Sequence, residues 1–561
     1  MISDIILPPG LLLILVGLLL PCLKGHARSL VMIVVPLLAL FLVWQMPNGD
    51  LLTTSYLGFE LVIVRADELS RLFATVFTVM AAAGGLFAIN QMKVSELAAA
   101  FVYAGSAVSV VFAGDLITVF IFWEIMAIAS SIIIWSGGAG ARGAGQRYVA
   151  VHFLGGVLLM AGIAGEYMQN GSIAFDVMEA NSWPRWLILA GFLINAGAPP
   201  LSAWLPDAYP EASWSGTVFL SAFTTKTAVY VLIRTFPGTE MLIYIGLYMV
   251  FYGIVFAILE NDMRRILAYS IINQVGFMVT AIGIGSEMAL NGAAAHAFVH
   301  IIYKALLLMS AGAVLYQTGK RKCTDLGGLF RTMPITMICG TIGALSISAF
   351  PFTSGFIAKS LISQGAAEAH LSVVWFLLAA ASAGVFLHAG IKFPWFVFFQ
   401  KDSGLRPPEP PKTMLYAMYA MCILCIGFGV YPDALYQILP YAVDYAPYTF
   451  AHVVFQLQLL LFSGLAFFLL LPLLKRTLTI TLDFDWFYRG LGKVLHKEFD
   501  SATAKIWSNL SRFASSLAKM AAGFVYKLHG PGGVFAETWS TGSMALWATI
   551  LLGIYLAVYF L

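Results

Sequence analysis

Three titratable residues, His296, His300 and Lys304, stand four apart in the apolar run GAAAHAFVHIIYKALLLMSAG, residues 292–312. On a helix of 3.6 residues per turn that spacing stacks them on one face, a polar stripe along a greasy rod. The whole run from Met288 to Gln317 is long enough to cross a bilayer. An ionisable group at the centre of a membrane helix costs about 2.5–3.5 kcal/mol on insertion scales, so such groups turn toward protein or water rather than lipid. Two histidines, which exchange protons near neutral pH, in register with a lysine supply the parts of a proton relay. The plainer alternative is a set of interhelical hydrogen bonds that only holds a bundle together.

Other charges lie in other apolar segments. Glu124 sits in the middle of DLITVFIFWEIMAIASS and must take up a proton or find a cation. Lys226, in FLSAFTTKTAVYVLIR, has no carboxylate in its own segment, and a lysine of this kind can load and release protons. Lys359 follows a break in the segment IGALSISAFPFTSGFIAKSLI. The six groups occupy four spans, and His152 in a fifth is a weaker member. Inserting Glu124, Lys226, Lys304 and Lys359 costs roughly 10–14 kcal/mol, too much to carry without partners or water. Structural ion pairs would also absorb that cost, but a pure scaffold is made more simply from Ser or Asn. His388 and Lys392, toward the end of the segment 371–399, are either the relay's exit or snorkelling groups, and snorkelling is slightly preferred. Asp115, Asp207 and Glu211 fall at membrane boundaries, where capping and solvation explain them.

The elements that must position these groups follow from composition. A chain of 561 residues that is 60% hydrophobic and 11% charged is not a soluble domain; its repeated apolar runs make it an all-α polytopic membrane protein with about sixteen transmembrane helices. The near balance of 31 basic and 28 acidic residues gives no reason to expect nucleic acid as a partner. Cys422 and Cys425 form a CxxC inside an apolar segment with no second pair, so they read as core residues and no metal site is expected. The first apolar run lacks a basic leader and a small-residue cleavage site and reads as a retained span. Basic residues collect in alternate loops (Lys24, Arg28; Lys93; Arg142, Arg147; Arg264, Arg265; Lys320 to Lys322, Arg331; Lys401, Arg406), which by the positive-inside rule face the cytoplasm. The expected location is a prokaryotic cell (inner) membrane, crossed many times.

Two spans are interrupted by proline and glycine. GFLINAGAPPLSAWLPDAYPEA breaks at Pro199-Pro200 and again at Pro206, and the segment before Lys359 breaks at Pro351 and Gly355. Breaks five spans apart suggest two five-helix repeats of inverted topology, the plan that places ion sites at broken helices; kinks without a transport role are the alternative. The expected divisions are N-terminal spans 1–93, a first inverted repeat 94–236, a second 240–399, C-terminal spans 413–474, a lateral amphipathic helix 484–530 and a terminal span 542–561. In the lateral segment Ile506, Leu510, Phe513, Leu517, Met520, Phe524 and Leu528 recur at spacings of three and four opposite Lys505, Arg512 and Lys519. That pattern fits a helix lying on the membrane surface, either as a brace across neighbours or as a lipid-facing anchor, stopped at Gly530-Pro531-Gly532-Gly533.

The motifs FWEIMAIASS, PLSAWLPDAYPEA, TKTAVYVLIR, DMRRILAYSIINQVGFM, HAFVHIIYKALLLMSAG and AFPFTSGFIAKSLI occur in this order over roughly residues 60–400. The set resembles the proton-conducting antiporter-like subunits of respiratory complex I, membrane-bound hydrogenases and Mrp-type sodium/proton antiporters. The core motifs are most similar to the D-type subunits of those antiporters, and the lateral helix with its final span to the longest, distal subunit type. The resemblance implies that Glu124 is the key carboxylate, that Lys226 and His296–His300–Lys304 form a central hydrophilic axis, and that Lys359 is the exit lysine. One position departs. Where the family places a lysine upstream of PLxxWLP to partner the Glu124-type carboxylate, this chain has Asn195, which cannot hold a charge.

The expectation is a subunit that moves protons, with or without exchange for sodium or another cation, along a mid-membrane Glu/Lys/His axis. It acts with other membrane subunits of a multisubunit antiporter or complex I-like assembly. No cofactor is expected, since cluster, haem and nucleotide motifs are lacking, and no redox or hydrolytic chemistry is assigned to this chain. In a respiratory-type translocase it would be the ion-pumping part. The rivals are a non-conducting scaffold of a redox complex, a subunit for inorganic-carbon uptake, and a stand-alone carrier of an organic solute.

Overall fold

The computed structural model describes residues 7–473, 483–530, 533 and 540–560. The chain divides into two units, Met1–Asp485 and Trp486–Leu561. In the first, α1 (Pro9–Leu19) and α2 (Gly25–Gln45) precede a hairpin of β1 (Gly49–Tyr56) and β2 (Phe59–Ala66). Then come α3 (Glu68–Phe87), α4 (Val94–Phe112), α5 (Leu116–Trp135), α6 (Ala141–Asn170), α7 (Trp183–Ala196), α8 (Trp204–Ala208), α9 (Gly216–Leu220) and α10 (Thr224–Thr235). The series continues with α11 (Met241–Leu259), α12 (Met263–Ile284), α13 (Glu287–Thr318), α14 (Pro334–Ile347), α15 (Ser354–Glu368) and α16 (Ser372–Val385). It closes with α17 (Lys412–Val430), the short α18 (Asp433–Tyr436) and α19 (Phe450–Leu469). The second unit holds α20 (Asp485–His529), whose first residue ends the first unit, and α21 (Thr541–Phe560).

Among the described residues thirteen helices are long and apolar enough to cross a membrane. The shorter apolar helix Pro9–Cys22 and the broken spans α7–α8 and α14–α15 complete the sixteen expected from hydropathy. Helices α10, α12 and α13 are buried almost throughout, while α2 and α19 leave most of their apolar surface exposed. An apolar helix that is buried all round belongs to the interior of a bundle, and one with an exposed greasy face belongs at the lipid.

The helices begin and end where side chains can satisfy their free backbone groups. Asp67 and Ser70 form a reciprocal box at the start of α3, Asp262 caps α12 and Ser286 caps α13. Asp115 caps α5 through Thr118 N at 2.8 Å and also accepts Val62 N at 2.8 Å, so this boundary acid ties β2 to α5. Asp207 receives both Nε and Nη2 of Arg147, and Glu211 pairs with Arg321 at 2.9 Å, in keeping with structural roles.

The breaks differ in detail from the expected ones. α7 stops at Ala196 with Gly197 left-handed, and Trp204 Nε1 donates to the freed Ile194 carbonyl at 2.9 Å. Pro206 does not interrupt the chain a second time; it lies in the first turn of α8, where its missing N–H has no partner to lose. The Lys226 span, expected to be continuous over 216–236, is itself broken between α9 and α10. No proline or glycine marks Ser221–Phe223, so the pattern gave no warning. The hairpin after α2 was also unforeseen. Its turn puts Leu57 and Gly58 at positive φ, the arrangement that suits the twist of a two-residue connection.

The lateral helix, Asp485–His529, is longer than its periodic core suggests, at 45 residues. Its stripe of Ile506, Leu510, Phe513, Leu517, Met520 and Phe524 is exposed. The expected stop at Pro531-Gly532 lies outside the described residues. All five cysteines are free, and Cys422 and Cys425 are buried as core residues.

Candidate functional site

Among the described residues of the first unit four lysines are buried, and each donates to backbone carbonyls rather than to a carboxylate. Lys226 Nζ meets Ser221 O at 2.6 Å and Thr225 Oγ1 at 3.0 Å. Lys359 Nζ meets Ile347 O at 2.8 Å and lies 4.7 Å from the centre of the Phe277 ring. Ser221 and Ile347 are where α9 and α14 stop, so both lysines sit on carbonyls that the breaks set free, at the negative end of a helix dipole. Lys304 Nζ meets Leu267 O, in the second turn of α12, at 3.2 Å. Lys392 collects the carbonyls of Ala257, Ile258 and Glu260 at the end of α11. It therefore caps α11 instead of snorkelling to the surface, and the Phe386–Lys392 segment widens into π-helix to deliver it.

The stripe on α13 is wholly buried. The His296 and His300 rings lie 6.2 Å apart and the His300 and Tyr303 rings 5.2 Å apart. His296 Nε2 stands 2.8 Å from Tyr303 Oη and 3.1 Å from Gln274 Oε1. α10, which carries Lys226, and α15, which carries Lys359, both pack against α13. Five of the six expected groups thus converge: Lys226 on α10, the triplet on α13, and Lys359 on α15. Gln274 and Tyr303 belong with them, residues that carry no charge at neutral pH and do not stand out in an apolar run. Gln456 of α19 is of the same kind, and His452 stands in the first turn of that helix rather than mid-span; with Lys359 they line a small cleft of about 60 Å³.

Glu124 stands apart from this group. It is half-buried in a groove of about 400 Å³ between α5 and α6, walled by Phe120, Phe153, Val157 and Met160. Its Oε1 has no hydrogen-bond partner in the protein, and Lys226 is committed to Ser221 instead. Asn195 is buried with neither amide atom partnered. His152, one turn before Gly156 on α6, stacks on Tyr148 at 3.8 Å and packs edge-on to Trp204, with Nε2 unpartnered. His388 Nδ1 meets Gly384 O at 2.9 Å and its Nε2 is unpartnered.

Glu124, Asn195, Ser270, His300 and His388 each carry a buried polar atom without a protein partner. Such an atom costs about 1–3 kcal/mol when unsatisfied, which internal water relieves.

Residues 113–386 match the family described as NADH:quinone oxidoreductase/Mrp antiporter, TM. The chain is 32% identical over 346 residues to the D-type subunit of the Na+/H+ antiporter of Alkalihalophilus pseudofirmus, covering 56% of this chain and 67% of that protein. It belongs to this family. It is also 29% identical over 402 residues to the A/B-type subunit of a probable K+/H+ antiporter of Rhizobium meliloti, covering 66% of this chain but 40% of that longer one. In fold it resembles a chain of the Mrp complex from Dietzia sp., with a TM-score of 0.73 at 21% identity over 98% of this chain and 62% of that one. Relatives within the family are subunits of multisubunit membrane assemblies. The NADH:quinone oxidoreductase/Mrp antiporter match spans α5 to α16 almost completely, and so takes in Glu124, Lys226, the α13 triplet and Lys359.

Proposed function

We propose that this chain is a proton-translocating subunit of a multisubunit complex in a prokaryotic cell membrane, with the basic loops on the cytoplasmic side. Protons move through two half-channels, 94–236 and 240–399, joined along Lys226, His300, His296, Lys304 and Lys359. The observation that carries this reading is the convergence of these groups: the three lysines and His296 are held on carbonyls or neutral polar atoms, His300 has no protein partner on either ring nitrogen, and none has a carboxylate to fix its charge. A lysine paired with a carboxylate is a strut; one on a carbonyl can give up its proton without stranding an opposite charge. Similarity to antiporter subunits supports cation/proton exchange as the overall activity, with sodium as the candidate ion.

A second reading is favoured by Glu124 and Asn195. With no cation beside Glu124, the first half can be a silent scaffold while the second conducts. Reconstitution of the native complex with wild-type chain, Glu124→Ala and Lys304→Ala separates these. Loss of proton transport in both variants supports two linked half-channels. Loss in Lys304→Ala alone makes the first half silent, and normal transport in both makes the whole chain a scaffold. A current that depends on an added organic solute indicates a carrier.

A further inference from the structure

The most enclosed carboxylate near the basic face plays no part in the axis described above. Glu96, in the first turn of α4, is 1% exposed. Gln91, Ser213 and Ser215 all donate to its Oε1, at 3.2, 2.5 and 2.7 Å, while Oε2 is buried with no partner in the protein. Three donors on one oxygen hold the carboxyl in place and leave the other oxygen free to carry a proton.

The surroundings connect it in two directions. Toward the basic face lies a cavity of about 360 Å³ lined by Gln91, Lys93, Glu211, Ser213, Arg264 and Arg321. Two of these, Gln91 and Ser213, are the residues that donate to Glu96, so the carboxyl stands one hydrogen bond behind the cavity wall. The charged groups facing it are Lys93 and Arg264, with Glu211 and Arg321 paired across the cavity. Arg264 is fixed by the carbonyls of Pro210, Ala212 and Ser213, which keeps the wall rigid. Inward, Ser215 precedes the first residue of α9 and Ser221 follows its last, and Ser221 O is the acceptor of Lys226 Nζ. Six residues at 1.5 Å each separate the two serines by about 9 Å.

We propose that Glu96 is the proton-loading carboxyl between the basic-face cavity and Lys226. Ser213 Oγ, which lines the cavity, hands its proton to the carboxylate and takes one from cavity water, and the carboxyl then gives a proton up inward to a water beside α9. One proton arrives, one leaves, and no electrons move. This rests on the proton-translocating reading above and adds the intake route to it.

The test uses the reconstituted native complex with Glu96→Gln, Gly138→Trp and Lys304→Ala. Glutamine keeps an oxygen for Gln91, Ser213 and Ser215 but cannot exchange a proton. Transport and its pH profile should therefore change, with the rate falling by about tenfold or more. A structural Glu96 predicts no change in either. Gly138 also borders the cavity, and a Cβ there meets nothing within 4 Å, so a tryptophan should obstruct the cavity without disturbing the fold. Slowed transport in Gly138→Trp is expected even where Glu96→Gln fails to assemble, and a wild-type rate there overturns the route. Wild-type transport in Glu96→Gln with an inactive Lys304→Ala overturns this inference alone. An active Lys304→Ala overturns the reading beneath it.

Discussion

Glu124 Oε1 lies so close to Gly156 that a methyl group on that glycine would overlap it. The contact joins α5 to α6 in the middle of the membrane, and the carboxyl is its movable part. In Gly156→Ala the carboxyl should swing away while both helices stay in place. Assembly and thermal stability should remain near wild type, with proton transport falling by about tenfold if the first half conducts. Unchanged transport would place Glu124 outside the conducting path and favour the silent-scaffold reading of that half.

The lysines on broken helices should separate stability from transport. Replacing Lys226 or Lys359 with methionine strips the donor from Ser221 O or Ile347 O, each a carbonyl with no helical partner. Each change should destabilise by about 1–3 kcal/mol in thermal unfolding of the solubilised complex, the cost of a stranded acceptor. Lys304 bonds Leu267 O inside an intact helix, so Lys304→Met removes a buried charge without stranding a carbonyl. It should be neutral or stabilising, yet as deficient in transport as the other two. Equal losses of stability in all three would mean that the lysines are one structural set.

The axis was legible in sequence because charge in an apolar run is conspicuous. Glu124, Lys226, His296, His300, Lys304 and Lys359 each stood against twenty or so greasy neighbours, the length of one span, and hydropathy alone produced the sixteen spans. The geometry that decides their chemistry was not legible. Lys226 rests on a helix break at Ser221–Phe223 written without proline or glycine, held open by Tyr103, whose hydroxyl takes Thr224 N at 2.9 Å. Such a break comes from tertiary contacts and leaves no local mark. Lys392 sits close to the end of its span, which suggested snorkelling; only the end of α11 beside it reveals a cap. Gln274, Tyr303 and Gln456 are ordinary uncharged residues until folding places them beside His296 and Lys359. Asn195 was visible as a departure from the family pattern, but whether Lys226 turns to Glu124 in compensation depended on packing, and it does not.

Asp483, ahead of α20, accepts from Tyr252 Oη at 2.6 Å and Tyr269 Oη at 2.6 Å. Both tyrosines belong to the paired helices α11 and α12, and Lys304 donates to Leu267 two residues before Tyr269. Hydrogen bonds to a charged acceptor contribute about 1.5–3 kcal/mol. Asp483→Asn and Tyr269→Phe should each lower stability, and the double variant should lose less than the sum. A double-mutant cycle that adds without interaction would show that the two groups do not share a bond in solution.

Asp67 supplies a prediction in pH. It caps α3 through Ser70 N and receives two hydrogen bonds from Arg234, at 2.6 and 2.9 Å. Burial by itself would raise its carboxyl pKa; the Arg234 guanidinium and the Ser70 amide outweigh that and hold it below the ordinary aspartate value. A carboxyl whose folded pKa is depressed contributes stability that is fully present above its unfolded pKa of about 3.9 and is lost as pH falls through the folded value. Asp67→Asn keeps a cap for α3 but loses the charge that holds Arg234. The difference in unfolding temperature between wild type and Asp67→Asn should therefore be constant from neutral pH down to about 5 and shrink below that as the carboxyl protonates. A gap that persists unchanged down to about pH 3, below the unfolded value, would mean that hydrogen-bond geometry, rather than charge, holds α3 to α10.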